Sequence, residues 1–383
     1  MAADISRELV ESLAAHTGDG PLLSLYLPTT LKVEQRQKNE IRLKNLLKEA
    51  RTRLEALGMA ATDADLLTKA VTNASLDKEM WKEHGEGFAV FAGRGFLEHV
   101  ALPFRVRELA VVNFRFHLKP LLEALSRRRR FWLLALSQKD VRLYVGDERT
   151  VSDVDVGPDV PRRLTDVTGG QPAGKQLRYH STSRGGDTSV YHGMGAGKDD
   201  VEPEQEQFVR AVADGLERFW KADEAPLITA GDNPLLAMYR RLSDCAERIL
   251  GEVEGNVEDL DRQALHAKAW PIVEGELERQ RAETLARLDQ SDAQTPVSRE
   301  LADIVRAARD GRVDTLFVAM DRECWGRWDD GERSIESHER PLPGDDDLLD
   351  RAAVESWLKG AAVHAVPAAE IPGGGMAIAG LRY

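Results

Sequence analysis

Apolar and polar positions alternate along this chain in two distinct periods, and the switch between them outlines its elements. Leu22–Leu27 is a short apolar run stopped by Pro28, the pattern of a buried strand. Ile41, Leu43, Leu46, Leu47, Ala50, Leu54 and Leu57 then recur at helical spacing, which predicts a helix over about 33–57 with Gly58 as its stop. A second helix is expected over 63–71, and two strands at 87–92 and 96–102 flank the turn Gly93-Arg94-Gly95. Strand character continues over 106–116, and 118–125 is short, apolar and helical in pattern. Phe131–Leu136, Val141–Val145 and Thr150–Val156 follow as three strands in succession, an antiparallel meander.

Beyond the meander the hydrophobic period disappears. Residues 160–200 are crowded with glycine and read as a long arm; loops of more than about 12–15 residues in a compact domain are usually functional or disordered. Glu202-Pro203-Glu204 opens the next helix, with Phe208, Val212, Leu216 and Phe219 as its buried stripe. A strand at 227–230, a helix at 235–242, a long charged helix at 257–288 and a helix at 301–309 come next. A strand at 312–320, a helix at 348–359, a strand at 363–366 and a terminal strand at 376–381 complete the series, with Gly373–Gly375 expected as a tight hairpin turn. The alternation predicts an α/β chain with α+β elements and boundaries near Ser126 and Asp223–Pro226. Three domains are expected: 1–126, an α/β domain; 127–223, the meander, arm and helix; and 224–383, an α/β sandwich.

Composition narrows the class. The chain has 383 residues, 42% hydrophobic and 31% charged, as in ordinary globular proteins. No apolar run is long enough to span a bilayer, the first twenty residues do not read as a secretory signal, and Cys245 and Cys324 alone cannot make a disulfide framework, so a cytoplasmic home and no membrane contact are expected. A net charge of −13 argues against a sequence-neutral DNA binder. Yet Lys32–Arg53 holds eight Lys/Arg, Arg127–Arg130 are consecutive arginines, and Arg162–Lys198 holds six Lys/Arg. Basic islands on an acidic chain suit a partner touched at several separate points; they also suit solvated helix faces.

The arm carries the candidate chemistry. His180 and His192 lie in similar settings, beside Tyr179 and Tyr191, where imidazole can stack on a base, donate to phosphate, or pair across a hairpin. No clear third ligand accompanies them, so no metal is expected, and Gly193–Lys198 fails the phosphate-loop spacing, so no nucleotide cofactor is expected there. Gly169-Gly170-Gln171 is compatible with a plain turn, Thr168-Gly-Gly-Gln-Pro, without catalysis.

The segments Leu22–Thr29, Ile41–Ala50, Phe114–Leu122, Phe131–Tyr144, Leu177–Ser181, Tyr191–Gly193 and Glu370–Tyr383, in that order, resemble the archaeo-eukaryotic class-1 release factor and Pelota family, and more specifically its bacterial branch, which includes ribosome hibernation factors. The resemblance spans essentially the whole chain. It implies a tRNA-shaped, three-domain, release-factor-like architecture that enters the ribosomal aminoacyl site, with the first domain at the decoding centre, the arm toward the peptidyl transferase centre, and elongation factor Tu or another translational GTPase as a delivery partner. Under that resemblance the expected rRNA-binding residues are Lys38, Arg42, Lys44 and Lys48 on the first long helix, not all on one face, and Tyr179, His180, Arg184, Tyr191, His192 and Lys198 on the arm. Gly169, Gly170 and Gln171 would be catalytic if the chain is a peptidyl-tRNA hydrolase, since a Gly-Gly-Gln tip approaches the ester closely and supports the oxyanion. Here Pro172-Ala173-Gly174 follows, a departure from the small-plus-basic sequence of release factors. The expectation is therefore a steric ribosome-binding factor in hibernation or stalled-ribosome handling, with hydrolase and non-ribosomal RNA- or protein-binding module as alternatives.

Overall fold

The computed structural model describes residues 5–16, 20–29, 36–76, 85–127, 129–168, 198–290 and 296–383. Two compact units emerge: Met1–Arg128 together with Arg281–Tyr383, and Arg129–Gln280.

The first segment begins with α1 (Arg7–Ala15), where Ser6 Oγ accepts from the Leu9 amide at 3.2 Å. Then come β1 (Leu22–Pro28), α2 (Arg36–Ala56), α3 (Ala61–Leu76), β2 (Gly87–Gly93), β3 (Phe96–Leu102), β4 (Leu109–Asn113) and α4 (Lys119–Arg127). The four strands form an antiparallel sheet in the order β3-β2-β1-β4. Side chains alternate across it. Leu23, Leu25 and Leu27 share a core with Leu43, Leu46, Leu47, Ala50 and Leu54 of α2, whereas Leu22 and Tyr26 join the opposite core with α1 and α4. Burial on both faces explains why β1 reads as a continuous apolar run. Strand pairing in the 106–116 stretch is confined to β4. Ile41, expected in the apolar stripe of α2, is instead 59% exposed, because it lies on the face opposite Leu43, Leu47 and Ala50.

The second unit is built on one five-stranded sheet. Its strands are β5 (Phe131–Leu136), β6 (Val141–Gly146), β7 (Val151–Val154), β8 (Leu227–Gly231) and β9 (Ile249–Glu254), and its order is β7-β6-β5-β8-β9. β5, β6 and β7 form the expected antiparallel meander, while β8 runs parallel to β5 and β9 parallel to β8. The sheet therefore crosses the expected boundary at Asp223–Pro226: β8 is buried throughout and takes β5 as a neighbour, so 227–254 belongs with the meander. Helices α5 (Leu164–Thr168), α6 (Lys198–Ala222), α7 (Asn233–Leu242) and α8 (Arg262–Asp289) complete the series. Trp132, Leu134 and Leu136 of β5 pack with Phe208, Val212 and Leu216 of α6 and Tyr239 of α7; Phe131, Leu133 and Ala135 pack on the other face with Leu265, Ala269 and Val273 of α8. α6 starts upstream of the expected opening, with Pro203 inside it, and α8 starts at Arg262, later than expected.

The last segment contains β10 (Val297–Ser298), α9 (Leu301–Asp310), β11 (Val313–Ala319), β12 (Trp325–Asp329), β13 (Ser334–His338), β14 (Asp346–Asp347), α10 (Leu348–Leu358), β15 (Ala362–Val366) and β16 (Ala377–Leu381). One sheet has the order β10-β16-β11-β15, with β11 and β15 parallel; a small second sheet has the order β13-β12-β14. The hairpin expected at Gly373–Gly375 does not form. β16 pairs antiparallel with β11, which lies between it and β15, and Pro372–Gly374 is a 3-10 turn with Gly373 and Gly374 at positive φ. α9, α10, β11, β15 and β16 share one continuous core with α1, α4 and the inner face of the first sheet, so the chain's two terminal segments make a single unit. Among the described residues no helix is long and apolar enough to cross a membrane.

Candidate functional site

The arm's chemistry lies outside the described residues: Gly169, Gly170, Gln171, Tyr179, His180, Arg184, Tyr191 and His192 all fall between α5 and α6. Lys198 is the first residue of α6. The upstream end of this segment is firmly held. The Leu164 amide donates to the Gln138 carbonyl at 2.8 Å, tying α5 to the β5–β6 turn. Asp166 Oδ2 accepts from the amides of Arg162 and Arg163 at 3.0 and 2.9 Å, satisfying donors that the helix start leaves unpaired. Leu164 and Val167 pack against the core that α6 also enters. Residues 169–197 thus leave from and return to one helical layer of the second unit.

On α2 the four basic candidates separate into two groups. Lys38, Lys44 and Lys48 are exposed on the outer face, and among the described residues none has an ion pair. Arg42 is turned toward the protein: its Nε lies 3.1 Å from Glu108, and Nη1 donates to the Pro28 carbonyl at 3.3 Å. Arg51 and Arg53 are likewise engaged, by Glu55, Asp65 and Glu49. A phosphate could meet the three lysines without any protein ion pair breaking. The arginine island is largely spent at home: Arg127 pairs with Glu123 at 2.6 Å and Arg130 with Asp223 at 3.1 Å, while Arg129 is exposed.

A buried ionic cluster in the first unit has no counterpart among the sequence expectations. Lys119, at the start of α4, is fully buried, with Nζ 3.0 Å from Asp347 Oδ2 and donating to the Arg322 carbonyl at 2.7 Å. His117 Nε2 stands 3.2 Å from the same carboxylate oxygen. Asp347 Oδ1 accepts from the Cys324 and Leu349 amides at 3.0 and 3.1 Å, which makes it the N-cap of α10. Asp350 in turn accepts from the Leu118 and Lys119 amides, capping α4, and Tyr26 donates its hydroxyl to the His117 carbonyl. Two carboxylates of the last segment thus fix the start of α4 in the first. Burial pushes the Asp347 carboxyl up, but the Lys119 charge, the His117 hydrogen bond and charge, and the Cys324 amide outweigh it and leave the carboxyl well below the ordinary carboxylate range. Burial, then the Asp350 charge, raises the Tyr26 phenol well above its ordinary value. The only sequence signal for this cluster is His117-Leu-Lys119 at the mouth of an apolar helix and the acidic run Asp345–Asp347 before another. Among the described residues no group of three or more His, Cys, Asp or Glu side chains is arranged to hold a metal ion.

Residues 130–312 match the model of bacterial archaeo-eukaryotic release factor family 3. Among curated proteins none matches the chain. Among solved structures the chain is similar to an archaeal translation termination factor (13% identity, 98% of this chain and 96% of that chain, TM-score 0.24). It is also similar to Pelota of Archaeoglobus fulgidus (17% identity, 77% and 79% covered, TM-score 0.34). A third is Dom34 of S. cerevisiae, described as a translation termination-like factor (11% identity, 77% and 80% covered, TM-score 0.35). The family match opens just before β5, runs through the whole five-stranded sheet with the α5–α6 segment inside it, and extends to the start of β11, so this stretch of the chain is similar to the bacterial archaeo-eukaryotic release factors.

Proposed function

We propose that this chain is a ribosome-associated translation factor that occupies the aminoacyl site and acts sterically, in hibernation or in the handling of stalled or idle ribosomes. The observation that carries the reading is the family match over 130–312, which includes the segment between α5 and α6 with Tyr179, His180, Arg184, Tyr191, His192 and, at its end, Lys198. In this reading that segment reaches toward the peptidyl transferase centre. The unpaired lysine face of α2 meets rRNA phosphate at the decoding centre, an electrostatic contact that weakens with salt. Delivery by a translational GTPase, such as elongation factor Tu, belongs to the same proposal. Steric occupation requires no chemistry, cofactor or metal.

A second reading, peptidyl-tRNA hydrolysis through Gly169-Gly170-Gln171, is favoured by the presence of the tripeptide inside the matched region. Gln171 follows the last residue of α5 by three positions, and three residues of chain reach at most about 11 Å. A peptide-release assay on ribosomes carrying peptidyl-tRNA separates the two: the steric reading expects no release above background and no change in Gln171→Ala. Release that Gln171→Ala abolishes would establish the hydrolase.

A further inference from the structure

Helix α2 turns its apolar stripe inward: Leu43, Leu46, Leu47, Ala50 and Leu54 are all buried. Ile41 is the exception, 59% exposed and, among the described residues, the only large apolar side chain that α2 presents to solvent. A single exposed aliphatic side chain needs no explanation by itself. Its setting is what distinguishes it. At 3.6 residues per turn, Lys48 projects within about 20° of Ile41 and Asn45 within about 40°, while Lys38 and Lys44 flank it at about 60° on either side.

These four neighbours are exposed, and among the described residues none of the three lysines has an ion pair. The acids of the helix do not neutralise them. Glu49 and Glu55 are held by Arg53 and Arg51 at 2.6 and 3.0 Å, and Glu40 points about 100° away from Ile41. The lysines span about 15 Å along the helix axis. The face therefore offers one apolar contact inside a ring of uncommitted cations. Helix preference does not ask for isoleucine there: straight-chain Lys, Glu and Gln lose less rotamer freedom in a helix than a β-branched residue does.

Resting on the reading that this face of α2 meets rRNA, we propose that Ile41 packs on an unstacked rRNA base while Lys38, Lys44 and Lys48 hold the phosphates around it. RNA offers both halves of this arrangement: unpaired bases present apolar faces, and the backbone carries a charge at every nucleotide. Apolar wedges, isoleucine among them, are used against nucleic-acid base steps in this way. A bilayer suits the face poorly, because the rest of the apolar stripe is in the core and one side chain gives little insertion. A protein partner suits it poorly as well, since lysine is depleted from protein interfaces.

The test is co-sedimentation of the full chain with vacant 70S ribosomes across a salt series, with Ile41→Ala and Ile41→Leu beside the wild type. The side chain is exposed, so urea unfolding should be unchanged in both variants. An apolar contact releases no counterions. Ile41→Ala should therefore weaken binding about threefold or more at every salt concentration, the scale of losing part of a buried aliphatic side chain, and keep the wild-type log–log slope. Ile41→Leu should restore most of the affinity. A diazirine-bearing aliphatic residue at position 41 should crosslink to rRNA. A loss smaller than about threefold in Ile41→Ala, or a crosslink to ribosomal protein in place of rRNA, would overturn the proposal and leave the lysine contact standing. Absence of wild-type binding at low salt would instead remove the ribosomal reading, and this contact with it.

Discussion

Truncating Asp347 would leave Lys119 charged in a site with no exposure, beside a histidine that has lost its partner. Breaking a buried pair in this way costs about 3–5 kcal/mol, far more than losing an exposed one. Asp347→Ala should therefore destabilise the first unit by that amount in urea unfolding; a change below about 1 kcal/mol would show that Lys119 is not held by this carboxylate. The pH dependence has a definite sign. The Asp347 carboxyl is depressed in the folded state, so its contribution is present above the unfolded carboxylate value of about 4 and is lost as pH falls through the lower folded value. His338 shifts the opposite way. The Asp345 hydrogen bond, 2.8 Å from Nδ1, raises it against a smaller opposing effect of burial, with help from Asp345 and Glu336 charge. Its contribution is present below the unfolded histidine value, near 6.5, and is lost as pH rises through the folded one. NMR titration should place the His338 midpoint above that of an unperturbed histidine, and Asp345→Asn should bring it back.

At the scale of elements, α2 and α5 make separable predictions. Reversing Lys38, Lys44 and Lys48 to Glu should weaken ribosome binding and flatten its log–log salt slope by roughly 0.7–0.9 for each phosphate no longer neutralised. Arg42→Ala should leave that slope unchanged, because Arg42 is committed to Glu108 and the Pro28 carbonyl. An unchanged slope in the triple variant would remove α2 from the interface. Asp166→Ala should fray α5 by about 1 kcal/mol, read as faster amide exchange at Arg162 and Arg163, whose donors it satisfies. Elements buried on both faces are the legible ones: β1 and β5 are apolar at nearly every position, and a run of that kind has few other readings. By contrast, β9, β10, β12, β13 and β14 escape sequence reading because they are short or half-exposed: β10 and β14 have two residues each, β9 and β13 mix Ile with Glu, and β12 mixes Trp with Arg and Asp. Helix α1 escapes too, its two buried residues being too few to mark a stripe.

At the scale of the molecule, the two terminal segments share one core while the meander and the strands after α6 share another. Sequence order conceals this. His117 and Asp347 are 230 positions apart, so no local pattern announces their contact, and the boundary expected at 223–226 misses a parallel partner nearly a hundred residues upstream of β8. Of the candidate site, the basic face of α2 is legible from charge and period, but its division into three lysines without ion pairs and one anchored arginine depends on the position of Glu108. The isolated segment 129–280 should fold cooperatively by itself, whereas 1–128 without 281–383 should not, since α1 and α4 would expose the face that packs on β15 and its neighbours. Circular dichroism with urea unfolding of each piece reads this directly; a stably folded 1–128 would contradict the shared core.

The most direct test of the functional account is co-sedimentation of the purified chain with vacant 70S ribosomes across a salt series, alongside His180→Ala/His192→Ala and the triple lysine reversal. The account predicts binding that weakens steeply with salt, is reduced in both variants, and flattens in slope only in the lysine variant. No binding by the wild type at low salt would contradict it and leave the non-ribosomal RNA- or protein-binding module as the reading.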